Sequence, residues 1–223
     1  MLRFFYQSKT LWSSILVVSV ILSVFVFPVF PESDSVTLLK IGFTLIFLSG
    51  VMSLERFRWP VLGLSMLAFI LSWISDINSW IFLSEVSRAM NVLFFMVVVF
   101  YLIRQMATAR NVTARVILES IAGYLLLGLI FSVLVAAIMQ HDPTAFMMNM
   151  PPKGPSSSDS SSSVPLYFVF VTMATLGYGD IVPLQPYTRS LAVFISVSGQ
   201  LYIAVIIAML MGKFINNDKK EGK

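Results

Sequence analysis

The chain has no cysteine among its 223 residues, so neither a disulfide framework nor a thiolate-bound metal can be built from it. It has one histidine, His141, which leaves a histidine metal site almost nothing to build on. Charge is scarce too. Asp, Glu, Lys and Arg make up 12% of the residues, against about 25% in soluble domains. A chain that is 57% hydrophobic, with a mean hydropathy of +0.87, could not cover a water-facing surface with polar groups. The composition therefore implies an integral membrane protein. The net charge of +4 is scattered and not gathered on one face, which argues against a nucleic-acid surface. No candidate catalytic site is found, so no enzyme is expected.

What the chain does have is apolar runs. A helix needs about 20 apolar residues to cross the hydrocarbon core. Six runs meet or approach that length: Leu11–Phe30, Val36–Leu54, Pro60–Ile77, Ile81–Ile103, Ile117–Met139 and Thr188–Phe214. Pro165–Ala174 is too short to span and reads as a re-entrant half-helix, with Pro165 suited to its first turn. The expected fold is all-α: six transmembrane helices, with a re-entrant helix and loop between the fifth and sixth. Arg3 and Lys9 precede the first run as they would in a signal peptide, but the run is long and no small-residue cleavage site follows, so an anchor is expected.

Lys and Arg set the orientation. Arg3 and Lys9, Arg56 and Arg58, Arg104, Arg110 and Arg115, then Lys213, Lys219, Lys220 and Lys223 all fall on one side if there are six spans. Both termini are then cytoplasmic, with a bacterial inner membrane as the expected location. The Asn111-Val112-Thr113 sequon faces the cytoplasm and is read as chance. The domain division is a four-helix region at 1–104, a linker at 105–116, a region at 117–214 and a tail at 215–223. Within it, residues 140–164 carry Pro151, Pro152, Pro155 and a serine run, and are expected to form a disordered external turret. Met147, Met148 and Met150 read as an apolar lip on that loop and not as metal ligands, and His141 as a solvated loop histidine. The nine residues after Phe214 leave no room for a large ligand-binding domain there.

Thr175-Leu176-Gly177-Tyr178-Gly179, followed by Asp180, lies between the half-helix and the sixth run. Two glycines flanking a tyrosine, after a threonine, let several carbonyls line up on one side, because glycine adopts the required dihedrals without a Cβ clash. Such a row can replace the water around a potassium ion. With Thr172, Met173 and Ala174 ahead of it, the strip resembles the filter of tetrameric potassium channels, with Leu176 in place of the usual valine. The resemblance is specific over residues 165–212. It reaches the first four spans only through their number and topology.

That resemblance implies a homotetramer in which K+ is the permeant ion. The carbonyls of Thr175, Leu176, Gly177 and Tyr178 would hold it, with the Thr175 hydroxyl as the innermost ring. Leu176 would keep its side chain behind the filter. In the family the acid after the filter is held by an aromatic residue of the pore helix. Tyr167 and Phe168 occupy the corresponding positions, and the Tyr167 hydroxyl can donate to Asp180. Val171 stands where some members carry a second acid. Gly199, twenty residues beyond Gly179, stands where the inner helix bends in the family. Close packing of helices through a small residue is an equal reading, with Ser196, Ser198 and Ala204 nearby.

Six spans with the pore between the last two resemble voltage-gated channels, whose fourth span carries an arginine at every third position. Here that span holds Arg88 and, at its inner end, Arg104. Glu85 stands three residues before Arg88 and can neutralise it. Lys40, near the outer end of the second span, can snorkel. A largely voltage-insensitive, potassium-selective channel is the expected function. A non-selective cation channel and a non-conducting sensor or accessory subunit are the alternatives. A potassium uptake transporter is disfavoured by the single filter copy. Anionic lipid headgroups at Arg110 and Arg115 are a further expected contact.

Overall fold

A computed structural model of the chain describes residues 2–30, 32–54, 61–67, 70, 81–109, 111–148 and 163–221. Its helices are α1 (Leu2–Ile21), α2 (Glu32–Ser53), α3 (Ile81–Thr108), α4 (Ala114–His141), α5 (Ser163–Met173) and α6 (Pro186–Glu221). Two three-residue strands, β1 (Phe146–Met148) and β2 (Ile181–Pro183), add a small sheet to the expected all-α fold. Most of the expected third span, with Arg56 and Arg58, lies outside the described residues, and residues 61–67 are helical. Among the described residues, four helical segments are long and apolar enough to cross a membrane: Thr10–Val29, Glu85–Thr108, Ala114–His141 and Pro186–Ile215. Ile41–Ser53 and Ser163–Met173 are shorter apolar helices.

The chain divides into two compact units, one of residues 1–127 with 206–223, the other of residues 128–205. In the first, α1 ends at Ile21, and Pro28, which offers no backbone N–H to the ladder, lies seven residues further on. The helix widens into a π turn at Leu22–Val26 and tightens into a 3-10 turn at Phe27–Val29. Serines make the seam between α1 and α2. Ser13, Ser23, Ser49 and Ser53 are fully buried, and their size lets the backbones approach closely. Ser23 and Ser49 send their hydroxyls back to their own helices, to Ser19 O at 2.8 Å and Leu45 O at 2.5 Å, so no donor is left over. Below the seam an aromatic group closes the core. Phe47 of α2 lies edge-on to Phe94, ring centroids 4.6 Å apart, and stacks on Phe95 at 5.9 Å.

α3 continues to Thr108 and α4 begins at Ala114, so the connection is shorter than the linker expected at 105–116. Thr113 starts α4 by turning its hydroxyl to the Val116 N–H at 3.5 Å. The carbonyls that end α3 are met from another helix. The Lys213 ammonium of α6 reaches Met106 O, and Ala107 O at 3.2 Å, a cation at the negative end of a helix.

In the second unit, Gly128 of α4 faces the Phe170 ring of α5. A Cβ there would lie 2.4 Å from the ring tip. Overpacking of this kind costs about 1–3 kcal/mol, so Gly128→Ala should lower the unfolding midpoint in detergent. A midpoint equal to that of the wild type would show that the ring yields freely. β1 and β2 pair antiparallel, with Met147 opposite Val182. Ala145 O accepts from the Leu184 N–H at 2.9 Å and the buried Thr188 hydroxyl at 3.2 Å. Pro186 opens α6, where its missing N–H is not needed, and Thr188 accepts from the Gln185 N–H at 3.1 Å.

Asp142 adds a clasp. Its Oδ1 accepts from the Thr144 hydroxyl at 2.6 Å and its Oδ2 from the Tyr187 hydroxyl, also at 2.6 Å. The Thr144 bond foremost, then the Tyr187 bond, hold the carboxyl below its ordinary range. The clasp is therefore present above the ordinary aspartate value and fades as the pH falls below it.

The expected disorder over 140–164 is corrected at both ends. Gln140 and His141 finish α4, residues 146–148 form β1, and Ser163 and Val164 begin α5. Backbone pairing with β2 uses the polar groups that a disordered turret would leave to water. Met147 and Met148 sit on that strand, both exposed. Residues 149–162 lie outside the described residues.

Candidate functional site

The site grows from the end of α5. Ala174 N–H closes on Phe170 O at 2.9 Å, Thr175 N–H on Thr172 O at 3.0 Å and Leu176 N–H on Val171 O at 3.0 Å. The last two bonds are the Schellman pattern of a helix C-terminus, which requires a left-handed residue just past the helix. Thr175 is that residue, with φ of 59°. Glycine usually fills the position. A β-branched residue there is a genuine outlier and costs about 1–2 kcal/mol.

Left-handed backbone then recurs at every second residue. Gly177 has φ of 55° and Gly179 of 79°, and Leu176 and Tyr178 between them do not have positive φ. A Cβ at either glycine would meet no atom within 4 Å, so dihedral freedom and not space is what calls for glycine. Alternating hand from 175 to 179 is the backbone form needed to turn successive carbonyls to one side. The strip carries no packing of its own in the single chain: Leu176 is 57% exposed and Tyr178 67%.

The Tyr167 hydroxyl of α5 donates to Asp180 Oδ2 at 2.5 Å, and Asp180 Oδ1 accepts from the Ile181 N–H at 3.1 Å. One carboxylate thus joins α5 to the start of β2. The Asp180 bond, ahead of burial, pushes the Tyr167 hydroxyl up to about 12, so Tyr167 keeps its proton at any physiological pH. Tyr167→Phe deletes the bond. Current through reconstituted protein should then decline several-fold faster during sustained opening. Unchanged kinetics would remove Tyr167 from any role in conduction.

Gly199 lies on α6, which runs through it without a break. A Cβ at 199 would stand 2.9 Å from Met173 O and 3.1 Å from Met173 Cβ, so the close-packing reading of this glycine has a specific contact behind it. Arg88 pairs with Glu85 on α3, both partly exposed.

A second constellation was not anticipated from the sequence. Glu119, 2% exposed, accepts at Oε1 from Arg115 Nε at 2.7 Å, Gln105 Nε2 at 2.7 Å and Ser13 Oγ at 3.1 Å. Arg115 Nη2 also donates to Ser53 O at 3.1 Å. Three helices, α1, α3 and α4, converge on one carboxylate, and α2 joins through Ser53, which meets Arg115 and Ser13. The expected contact of Arg115 with lipid headgroups is corrected here. Its guanidinium is buried and occupied by Glu119, because an unpaired charge at that depth would be too costly. Arg110 lies outside the described residues. The signal available in the sequence was Glu119 itself, the only acid in the fifth run, four residues after Arg115.

Residues 124–216 match the profile of a family described as "Ion channel". This part of the chain resembles an ion-channel domain, residues 175–180 fall within it, and the long apolar helices fit a multi-pass membrane protein. It is also similar to "Potassium voltage-gated channel protein shk-1" of Caenorhabditis elegans, 32% identical over 69 residues, which is 31% of this chain. The similarity covers 13% of that relative's length.

Proposed function

We propose that the chain is one subunit of a homotetrameric, potassium-selective channel with six spans per subunit and a re-entrant pore helix at α5. The observation that carries this reading is the alternation of left-handed backbone at Thr175, Gly177 and Gly179 in a Thr-Leu-Gly-Tyr-Gly strip between two helices of an ion-channel domain. K+ passes as cargo, exchanging water for the carbonyls of Thr175, Leu176, Gly177 and Tyr178. Exposed Leu176 and Tyr178 find cover in neighbouring subunits. The relative's name, a potassium channel, agrees with that choice of ion. Asp180 with Tyr167 braces the filter from behind, and Gly199 stands at the spacing where an inner helix bends to open.

Voltage has little to act on. One elementary charge moved through 100 mV is worth about 2.3 kcal/mol, and Arg88 is already paired with Glu85. Arg88→Gln should leave the conductance–voltage curve as shallow as in the wild type, and a steep curve abolished by this change would overturn that part. The main test is reconstitution in planar bilayers under a potassium/sodium gradient. The reversal potential should lie near the potassium equilibrium value, and a value far from it rejects the reading.

A further inference from the structure

Gln200 is the first residue after Gly199 on α6. Its Nε2 donates to Met173 O at 3.1 Å. That carbonyl belongs to the last residue of α5. The Schellman end of α5 uses the carbonyls of Val171 and Thr172, and Ala174 N–H uses that of Phe170. Met173 is next in line. Its residue is fully buried, where water is a poor substitute for a donor and an unmet carbonyl is costly. Two residues later comes Thr175, held in a conformation that its side chain disfavours.

We propose that Gln200 is a positioning residue for the filter: its amide completes the C-terminal cap of the pore helix at Met173 O and so holds Thr175 in its left-handed conformation. Gly199 makes this possible, since any side chain there would push Met173 away. The two adjacent residues divide the work, one giving room and the other giving the hydrogen bond. Gln200 touches no ion in this scheme. It acts through Met173 and the two-residue step to Thr175. The inference rests on the potassium-channel reading and adds to it a residue on α6 that sets ion discrimination.

The test uses the full-length protein in planar bilayers, with wild type, Gln200→Met and Gln200→Glu measured alongside. Methionine keeps the length and removes the donor. The loss of one such bond corresponds to about a five- to tenfold change in an equilibrium, and the potassium-to-sodium permeability ratio should fall by that order. An ionised glutamate cannot donate and repels the carbonyl, so Gln200→Glu should be as poor at neutral pH. Its carboxylic acid can donate once protonated, and the ratio should recover toward the wild-type value as the pH is brought to about 4.5, near the ordinary glutamate value, while the wild type stays level. A merely structural role would not produce that recovery, and the titration is read within one assembled protein even if Gln200→Met assembles poorly. Wild-type ratios in Gln200→Met, or no recovery on acidification of Gln200→Glu, overturn the inference alone. A wild type without potassium-selective current overturns both it and the reading beneath it.

Discussion

Replacing Glu119 with leucine should destabilise the protein by about 3–5 kcal/mol, the usual cost of removing one partner of a buried ion pair. The mechanism is local and specific. Arg115, 7% exposed, would be left with a desolvated charge and no carboxylate. Gln105 and Ser13 would each lose an acceptor, although Ser13 still has Ser53 Oγ at 3.0 Å. Thermal unfolding in detergent measures this. The companion variant, Arg115→Met with Glu119→Leu, should recover much of the loss, because an apolar pair of similar volume often replaces a buried salt bridge at no cost. A single variant within about 1 kcal/mol of the wild type, or a double variant no better than either single one, would show that the carboxylate is more solvated than its surroundings imply.

Gly177→Ala should abolish potassium-selective conduction. The residue sits at φ of 55° with open space around it, so the objection to alanine is conformational. A left-handed non-glycine residue costs about 1–2 kcal/mol, incurred in every subunit of the proposed assembly and two residues from Thr175, which already bears the same penalty. The chain can escape by turning the peptide over, which removes a carbonyl from the row. Leu176→Val changes only a side chain at a residue without positive φ and should conduct. Single-channel recording of the two variants, with assembly checked by size, decides the matter. Potassium-selective openings in Gly177→Ala would mean that the dihedral alternation is not what orders the carbonyls.

The parts legible in the sequence were those fixed by local chemistry. Apolar runs located α2, α3 and α4 to within about five residues, whereas α1 begins nine residues before its run and α6 continues seven past its own; a stretch of some 20 apolar residues has few other structures open to it in lipid. Gly177 and Gly179 announced unusual dihedrals by residue type. The positive φ at Thr175 could not be read that way, since it is imposed by how α5 ends and not by what threonine prefers. Glu119 was obscured for a different reason. Its partners come from α1, α3 and its own helix, and only folding brings Ser13 to a carboxylate 106 residues away. Arg115 followed a rule about loops and lipid headgroups that holds until such a carboxylate is near. The β1–β2 pairing joins two short segments that flank residues 149–180, α5 among them, and neither reads as a strand alone. Gln200 gives no sign of its donor role until the helix end opposite it is known.

Lys213 leaves a thermodynamic mark on the first unit. The carbonyl end of α3 is completed by an ammonium that belongs to α6, so the capping of one helix is a state variable of another. Linkage makes the relation reciprocal: whatever binds or strains α3 so that its last turn holds the ammonium more tightly favours, by the same free energy, the arrangement of the far end of α6 that delivers it.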